Sequence, residues 1–122
     1  MLDEHEKQGN VFYEILKANP QIQVYLVSTG KVGGMDDGTK ITPQVTLKVV
    51  ESVVRGHAAW KYDENLQYET AVEIEGVDLT PFDPYQIYGA ERYARMMNRL
   101  REERRAWLRK YPKLHPDILA AV

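Results

Sequence analysis

The 122-residue sequence contains no cysteine. This absence excludes a disulfide framework, a cysteine-ligated zinc site and a thiol nucleophile. The three histidines, His5, His57 and His115, are not spaced as metal ligands, and neither Ser28 nor Ser52 lies in a G-x-S-x-G motif. We therefore expect no cofactor and no metal centre, and the sequence favours a protein that is not an enzyme.

The sequence also lacks a hydrophobic run of the roughly 18 residues that a membrane-spanning helix needs. Residues 1–6 are acidic and polar, whereas a secretory signal has a basic start and an apolar middle. From these two observations we expect a cytoplasmic protein with no membrane partner.

Length and composition are those of an ordinary small soluble protein. The chain has a mass of 14.1 kDa. It is 43% hydrophobic and 28% charged, far from the composition of a disordered chain. We expect one domain over residues 1–122, with a frayed N-terminus at residues 1–9 and a C-terminal extension at residues 112–122.

Local patterns predict three features in the first third of the chain. Residues 10–18 form a short helix, which Pro20 ends because the residue before proline is disfavoured in a helix. Residues 22–28 are rich in β-branched and aromatic side chains and predict a strand. Residues 29–40 hold four of the eight glycines, which indicates a hairpin loop or a flap; their spacing matches no phosphate-binding loop.

Residues 41–62 allow two interpretations. Five valines between positions 45 and 54 favour strands, because β-branched side chains lose rotamer freedom in a helix. The alternative is a helix that ends at Val54, with Thr42 as its N-cap and Pro43 as its first residue. We choose strands over this stretch.

The remaining patterns complete an α+β fold. Residues 57–62 and 66–77 flank a turn at residues 63–65 and predict a hairpin with one acidic face, and residues 78–88 are a connector. Between Gly89 and Pro112 there is neither glycine nor proline, which predicts one long helix over residues 89–111. We expect a short N-terminal helix, an antiparallel meander of three to five strands, and this long amphipathic helix packed on the sheet or on a second copy. Its apolar stripe contains Tyr93, Met97, Leu100, Trp107 and Tyr111.

The small net charge of −2 hides an uneven distribution. Residues 1–91 carry seven basic and fifteen acidic side chains, a balance of −8, whereas residues 92–122 carry nine basic and three acidic ones, a balance of +6. Such asymmetry is typical of a chain whose basic segment docks on an acidic surface or on nucleic acid.

Most of the basic charge lies on one side of the long helix. Like charges spaced by four residues repel each other, so we expect counter-charges close to this side. The acidic hairpin face of a second copy would supply them, which predicts a non-enzymatic interaction protein that works as a homo-oligomer; an acidic protein partner would serve equally. The interacting residues are Arg95, Arg99, Arg101, Arg105 and Arg109.

Two other functions stay open at this level. The same arginines suit phosphate groups, so the alternative is a nucleic-acid-associated factor. The third hypothesis is a small-ligand-binding protein or an enzyme with a cleft near His57, Trp60 and Tyr68.

Overall fold

The computed structural model describes residues 2–122, and it describes side chains from residue 4 onward. This part of the chain is α+β, as predicted, with five α-helices, four strands and one 3-10 turn. The helices are α1 (Leu2–Ala18), α2 (Pro43–Val54), α3 (Pro84–Tyr88), α4 (Ala90–Leu108) and α5 (Pro116–Ala120). The strands are β1 (Lys31–Val32), β2 (Thr39–Lys40), β3 (Ala58–Asp63) and β4 (Tyr68–Ile74), and the 3-10 turn is Thr80–Phe82.

The chain forms two compact units. One combines the chain up to Tyr25 with Asn98–Val122, and the other is Leu26–Met97. Helix α4 therefore contributes residues to both units. The two are described separately below, and the single domain expected over residues 1–122 stays a prediction.

In the Leu26–Met97 unit, the choice of strands over residues 41–62 is wrong for residues 43–54, where the alternative helix is present as α2. The Thr42 hydroxyl accepts the Val45 N–H at 3.3 Å, and Pro43 occupies the first turn. Valine costs a helix only a few tenths of a kcal/mol per residue, which an N-cap and tertiary contacts can outweigh. Ser52 is buried, and the Lys48 ammonium donates to the Gly76 carbonyl at 3.1 Å.

The hairpin predicted around residues 63–65 is present as the antiparallel pair β3–β4. The Asp63 carboxylate closes its turn by accepting the backbone N–H groups of Asn65 (2.8 Å) and Leu66 (3.0 Å). A bulge lies between Ala59 and Trp60. The turn residues and the flanking strand patterns therefore predict the β3–β4 hairpin correctly.

The strand predicted for residues 22–28 is absent, because no described strand pairs with this segment. Residues 29–40, predicted as a hairpin loop or a flap, contain a short hairpin of their own, in which β1 and β2 pair over two residues each. Gly38 is needed in its loop, since a Cβ there would lie 2.1 Å from the Gly34 carbonyl oxygen. The four described strands thus form two separate two-stranded sheets instead of one meander.

In the other unit, α1 begins at Leu2 and not at Asn10, so the frayed segment predicted for residues 1–9 is wrong over residues 2–9. The buried Glu6 carboxylate accepts the Lys113 N–H at 3.2 Å. Asn10 donates to the Lys113 carbonyl at 2.9 Å and accepts the His115 N–H at 2.7 Å. These bonds fasten α1 to residues 112–122, where Leu114 is buried.

Helix α4 begins after Gly89, whose φ of +77° suits glycine, and it ends at Leu108, slightly earlier than predicted. Of its apolar stripe, Tyr93 and the following Tyr111 are buried, whereas Leu100 and Trp107 stay about half exposed. The N-terminal part of α4 therefore packs on the β3–β4 hairpin through Tyr93, and the stripe as a whole is only partly covered.

We expect Asn10→Ala to lower the free energy of unfolding by about 1–2 kcal/mol, because it removes two hydrogen bonds from α1 to the backbone of residues 113–115. Urea denaturation measures this change. Asn98→Ala removes an exposed asparagine of α4 and serves as the matched control. Equal stabilities of the two variants would contradict the anchoring role of Asn10.

Candidate interaction surfaces

The acidic side chains of α4 pair with three of the five arginines predicted to interact. Arg95 lies 3.2 Å from Glu91, while Arg99 and Arg105 lie 2.9 Å from Glu103 and Glu102. The Arg105 Nε also donates to the carbonyl of Val122 at 2.7 Å.

These ion pairs reduce the repulsion between the arginines of α4. Arg95 and Arg99 keep more than two thirds of their side-chain surface in solvent, so each pair contributes little to stability. Each pair nevertheless supplies a local counter-charge, and the helix thus offsets much of its own repulsion. Arg101 is half-buried and Arg109 is exposed. Arg95 belongs to the Leu26–Met97 unit, and the other four belong to the second unit.

The bulge divides the acidic face predicted for the hairpin. Residues opposite each other in the ladder share a side, so Glu69 lies beside Tyr62, on the side that also carries Trp60 and Ala71. Glu73 lies opposite Ala59, and because neighbouring residues of β3 point to opposite sides, Glu73 lies on the other side from Trp60. Both glutamates are exposed. The side with Trp60 and Tyr62 therefore carries the Glu69 carboxylate next to partly exposed aromatic rings.

The residues of the predicted cleft are not brought together. Trp60 pairs with Ala71, whereas Tyr68 pairs with Asp63, and side chains three apart along β4 point to opposite sides. The His57 Nδ1 lies 2.7 Å from the Glu75 Oε2 in an exposed pair at the end of the hairpin.

A polar network on the other side of the hairpin has a structural role. The buried Tyr93 hydroxyl donates to the Asp63 Oδ2 at 3.3 Å, and the Tyr85 ring lies 4.2 Å from that of Tyr93. The Asn65 amide donates to the Tyr85 hydroxyl at 2.8 Å. Burial, reinforced by the Asp63 charge, raises the pKa of Tyr93 well above its usual range. The phenol therefore stays protonated and acts as a fixed donor.

The described residues bring no three histidine or acidic side chains together in a group that could hold a metal ion. Over the same residues, every helix is too short or too polar to cross a membrane.

Apolar side chains in solvent are the feature that sequence reasoning missed. Among described hydrophobic residues, those classed as buried are Ile74, Tyr93, Tyr111 and Leu114. Three groups of large apolar side chains are exposed, with Leu26 at 90% and Val54 at 81%. The α1 group is Val11, Phe12 and Ile15; the connecting group is Ile22, Val24, Tyr25, Leu26 and Val27; the α2 group is Leu47, Val50 and Val54.

The exposure of the α2 group could have been predicted from the spacing of apolar residues in the sequence. Val45, Val49 and Val53 line the more buried side of the helix, and Leu47, Val50 and Val54 recur on another side. A helix that is apolar on more than one side is typical of an element covered from more than one direction.

The solvent-accessible surface shows how large the uncovered area is. The chain exposes 9505 Å². Two separate compact bodies with the lengths of the two units would together expose about 8,100 Å². The excess of about 1,400 Å² exceeds the roughly 800 Å² that one partner contributes to a standard protein interface.

No protein-family model matches the chain. Over 93 residues it is 32% identical to the phosphoenolpyruvate carboxykinase (ATP) of Aeropyrum pernix. The aligned part is 76% of this chain but only 18% of that protein. The chain is thus similar to a small portion of a much longer enzyme.

We expect the Tyr93–Asp63 contact to give stability that is complete below pH 10, near the pKa of a free tyrosine, and is lost as the pH rises further. The sign follows from the raised pKa, because the folded state binds the phenol proton more tightly than the unfolded state does. Tyr93→Phe should cost about 1 kcal/mol at pH 7 and flatten this decline.

Urea denaturation between pH 7 and pH 11 measures both effects. Tyr62→Phe alters an exposed ring on the opposite hairpin side and is the control. The same pH dependence in both variants would show that Tyr93 does not cause the decline.

Proposed function

We propose that this chain is an interaction module that works while bound to a larger protein, which covers its exposed apolar side chains. The observation that carries the proposal is the excess accessible surface of about 1,400 Å² over that of two compact bodies. Contiguous apolar surface in solvent typically marks a site of protein association.

The sequence comparison supports a proposal for the larger protein. We propose that it is related to the phosphoenolpyruvate carboxykinase (ATP) of Aeropyrum pernix, which is more than five times as long as the segment aligned with this chain. Within this proposal, the activity in the relative's name belongs to the whole assembly. The chain contributes surfaces that complete the packing of that assembly.

Self-association is the second candidate function. It is favoured by the exposed arginines of α4, with Arg99 81% exposed, and by the exposed glutamates of the β3–β4 hairpin, which carry the opposite charge. A homo-oligomer or an acidic partner would use Arg95, Arg99, Arg101, Arg105 and Arg109. The intrahelical ion pairs weaken this candidate, because they already neutralise part of the arginine charge.

Dye binding by the isolated chain, with and without the α1 group, tests the main proposal. We expect the isolated protein to bind the dye 8-anilinonaphthalene-1-sulfonate (ANS), which reports exposed apolar surface. The double variant Phe12→Ser/Ile15→Ser should lower the dye signal at least twofold with little loss of stability, since both side chains are about half exposed. The control Leu114→Ser alters a buried side chain and should destabilise the fold without lowering the signal.

Light scattering at two concentrations separates the two candidates. A monomer that binds the dye supports a larger partner. An oligomer that dissociates when Arg99 is replaced by Glu supports self-association instead. A chain that binds no dye at any concentration contradicts the main proposal.

A further inference from the structure

One side of α1 carries exposed charges next to the exposed apolar side chains of the α1 group. A shallow groove runs along this side, lined by Glu4, Lys7, Gln8, Val11, Phe12 and Ile15. We propose that this side pairs with the same side of a second copy, with the two α1 helices antiparallel. The inference goes beyond the proposed function, because it uses the α1 group alone and leaves the other exposed groups to the larger protein.

The groove faces away from the segment that α1 holds within its own unit. Glu6 and Asn10 bind the backbone of residues 113–115. At roughly 100° per residue, Ile15 lies about 180° around the helix from Glu6 and about 140° from Asn10. The contacts that fasten α1 to residues 113–115 therefore leave the groove open to another helix.

The exposed charges of α1 differ from those of α4 in their surroundings. The arginines of α4 pair with glutamates of the same helix. Among the described residues, Glu4, Lys7 and Glu14 belong to no ion pair. The Lys17 ammonium lies over the Tyr13 ring, 5.6 Å from its centre. The three unpaired charges are therefore available to a neighbouring surface.

The order of these charges is complementary to itself when the helix is reversed. When two copies of α1 run antiparallel, one register places Lys7 of each copy beside Glu14 of the other. The same register places Glu4 beside Lys17 of the other copy. A parallel pair would instead bring Lys7 next to Lys7, and like charges in contact oppose association. The charges therefore select an antiparallel second copy.

The positions of these residues around the helix agree with this register. Lys7 and Glu14 lie within about 20° of each other, so both fall on the same edge of the contact. In a two-fold symmetric pair the same edges of the two copies meet, and the contact between Lys7 and Glu14 forms twice. Val11 and Ile15 lie along the centre of the contact, and Phe12 lies on the other edge, beside the uncharged Gln8 of the second copy.

The other residues at this end of α1 do not oppose the pairing. His5 packs against the edge of the Tyr111 ring, with 6.1 Å between ring centres, and the buried Glu6 bonds to Lys113. By sequence position, Asp3 falls beside Ala18 of the second copy, which carries no charge. The register therefore brings no like charges together along α1.

The small size of the contact predicts weak pairing. Three half-exposed apolar side chains per copy cover far less than the roughly 800 Å² that each partner contributes to a standard interface. We therefore expect a dimer that dissociates on dilution. The dilute chain then keeps its α1 group open to the dye, as the proposed function requires.

Sedimentation equilibrium of the whole chain over a range of concentrations tests the pairing. We expect Lys7→Glu and Glu14→Lys each to raise the dissociation constant of the dimer at least about tenfold, because each variant brings like charges together. The double variant Lys7→Glu/Glu14→Lys exchanges the two charges and should restore the dimer. An equimolar mixture of the two single variants should form a heterodimer, since each then supplies the charge that the other lacks.

Two control variants separate this contact from a general effect of charge. Lys40→Glu makes the same change of charge at an exposed residue of the other unit and should leave the dimer intact. Arg99→Glu should also leave it intact, because Arg99 lies on α4 and not on α1. Circular dichroism checks that each variant keeps its helices.

Three outcomes would overturn the inference. The first is a strict monomer at millimolar concentration. The second is a dimer that neither the double variant nor the mixture restores, and the third is a dimer that Arg99→Glu dissociates, which assigns the contact to α4. None of these outcomes affects the proposed function, which fails instead when the free chain binds no dye.

Discussion

The chain covers little apolar surface with its own helices and strands. The rest of the structure depends on this constraint. Hydrophobic burial is the main driving force of folding, yet few large side chains are well buried. Polar contacts therefore take a larger part in positioning the elements. Asp63 closes the hairpin turn and receives Tyr93, while Glu6 and Asn10 hold residues 113–115 against α1.

The basic charge of residues 92–122 favours association less than its balance of +6 indicates. The balance of +6 over residues 92–122 excludes Glu91, which pairs with Arg95, and the ion pairs of α4 are local and exposed. Such pairs are screened by salt and contribute little to stability. The exposed apolar groups are a stronger reason for association, because water opposes their exposure at any ionic strength.

Elements whose signals are local could be predicted from the sequence. The β3–β4 hairpin and α4 follow from turn residues, alternation and a stretch free of proline and glycine. Helix α2 differs from the strand prediction because the Thr42–Pro43 cap outweighs the strand propensity of its valines, each of which costs a helix little. The first turns of α1 could not be predicted locally, because Lys113, which bonds to Glu6, lies more than a hundred positions away. Residues 22–28 show the opposite case, in which propensity is present and the pairing strand is absent among described residues.

Calorimetry of the free chain tests the central claim most directly, since the heat-capacity change of unfolding reports the apolar surface covered in the folded state. A well-covered protein of 122 residues should give about 1.5–1.8 kcal/mol/K. Where the excess exposed surface is apolar, leaving it uncovered lowers this value, by up to about 0.6 kcal/mol/K for about 1,400 Å², so we expect a value below about 1.5 kcal/mol/K. A measured value in the full range would contradict the account, because the chain would then cover its own apolar surface without a partner.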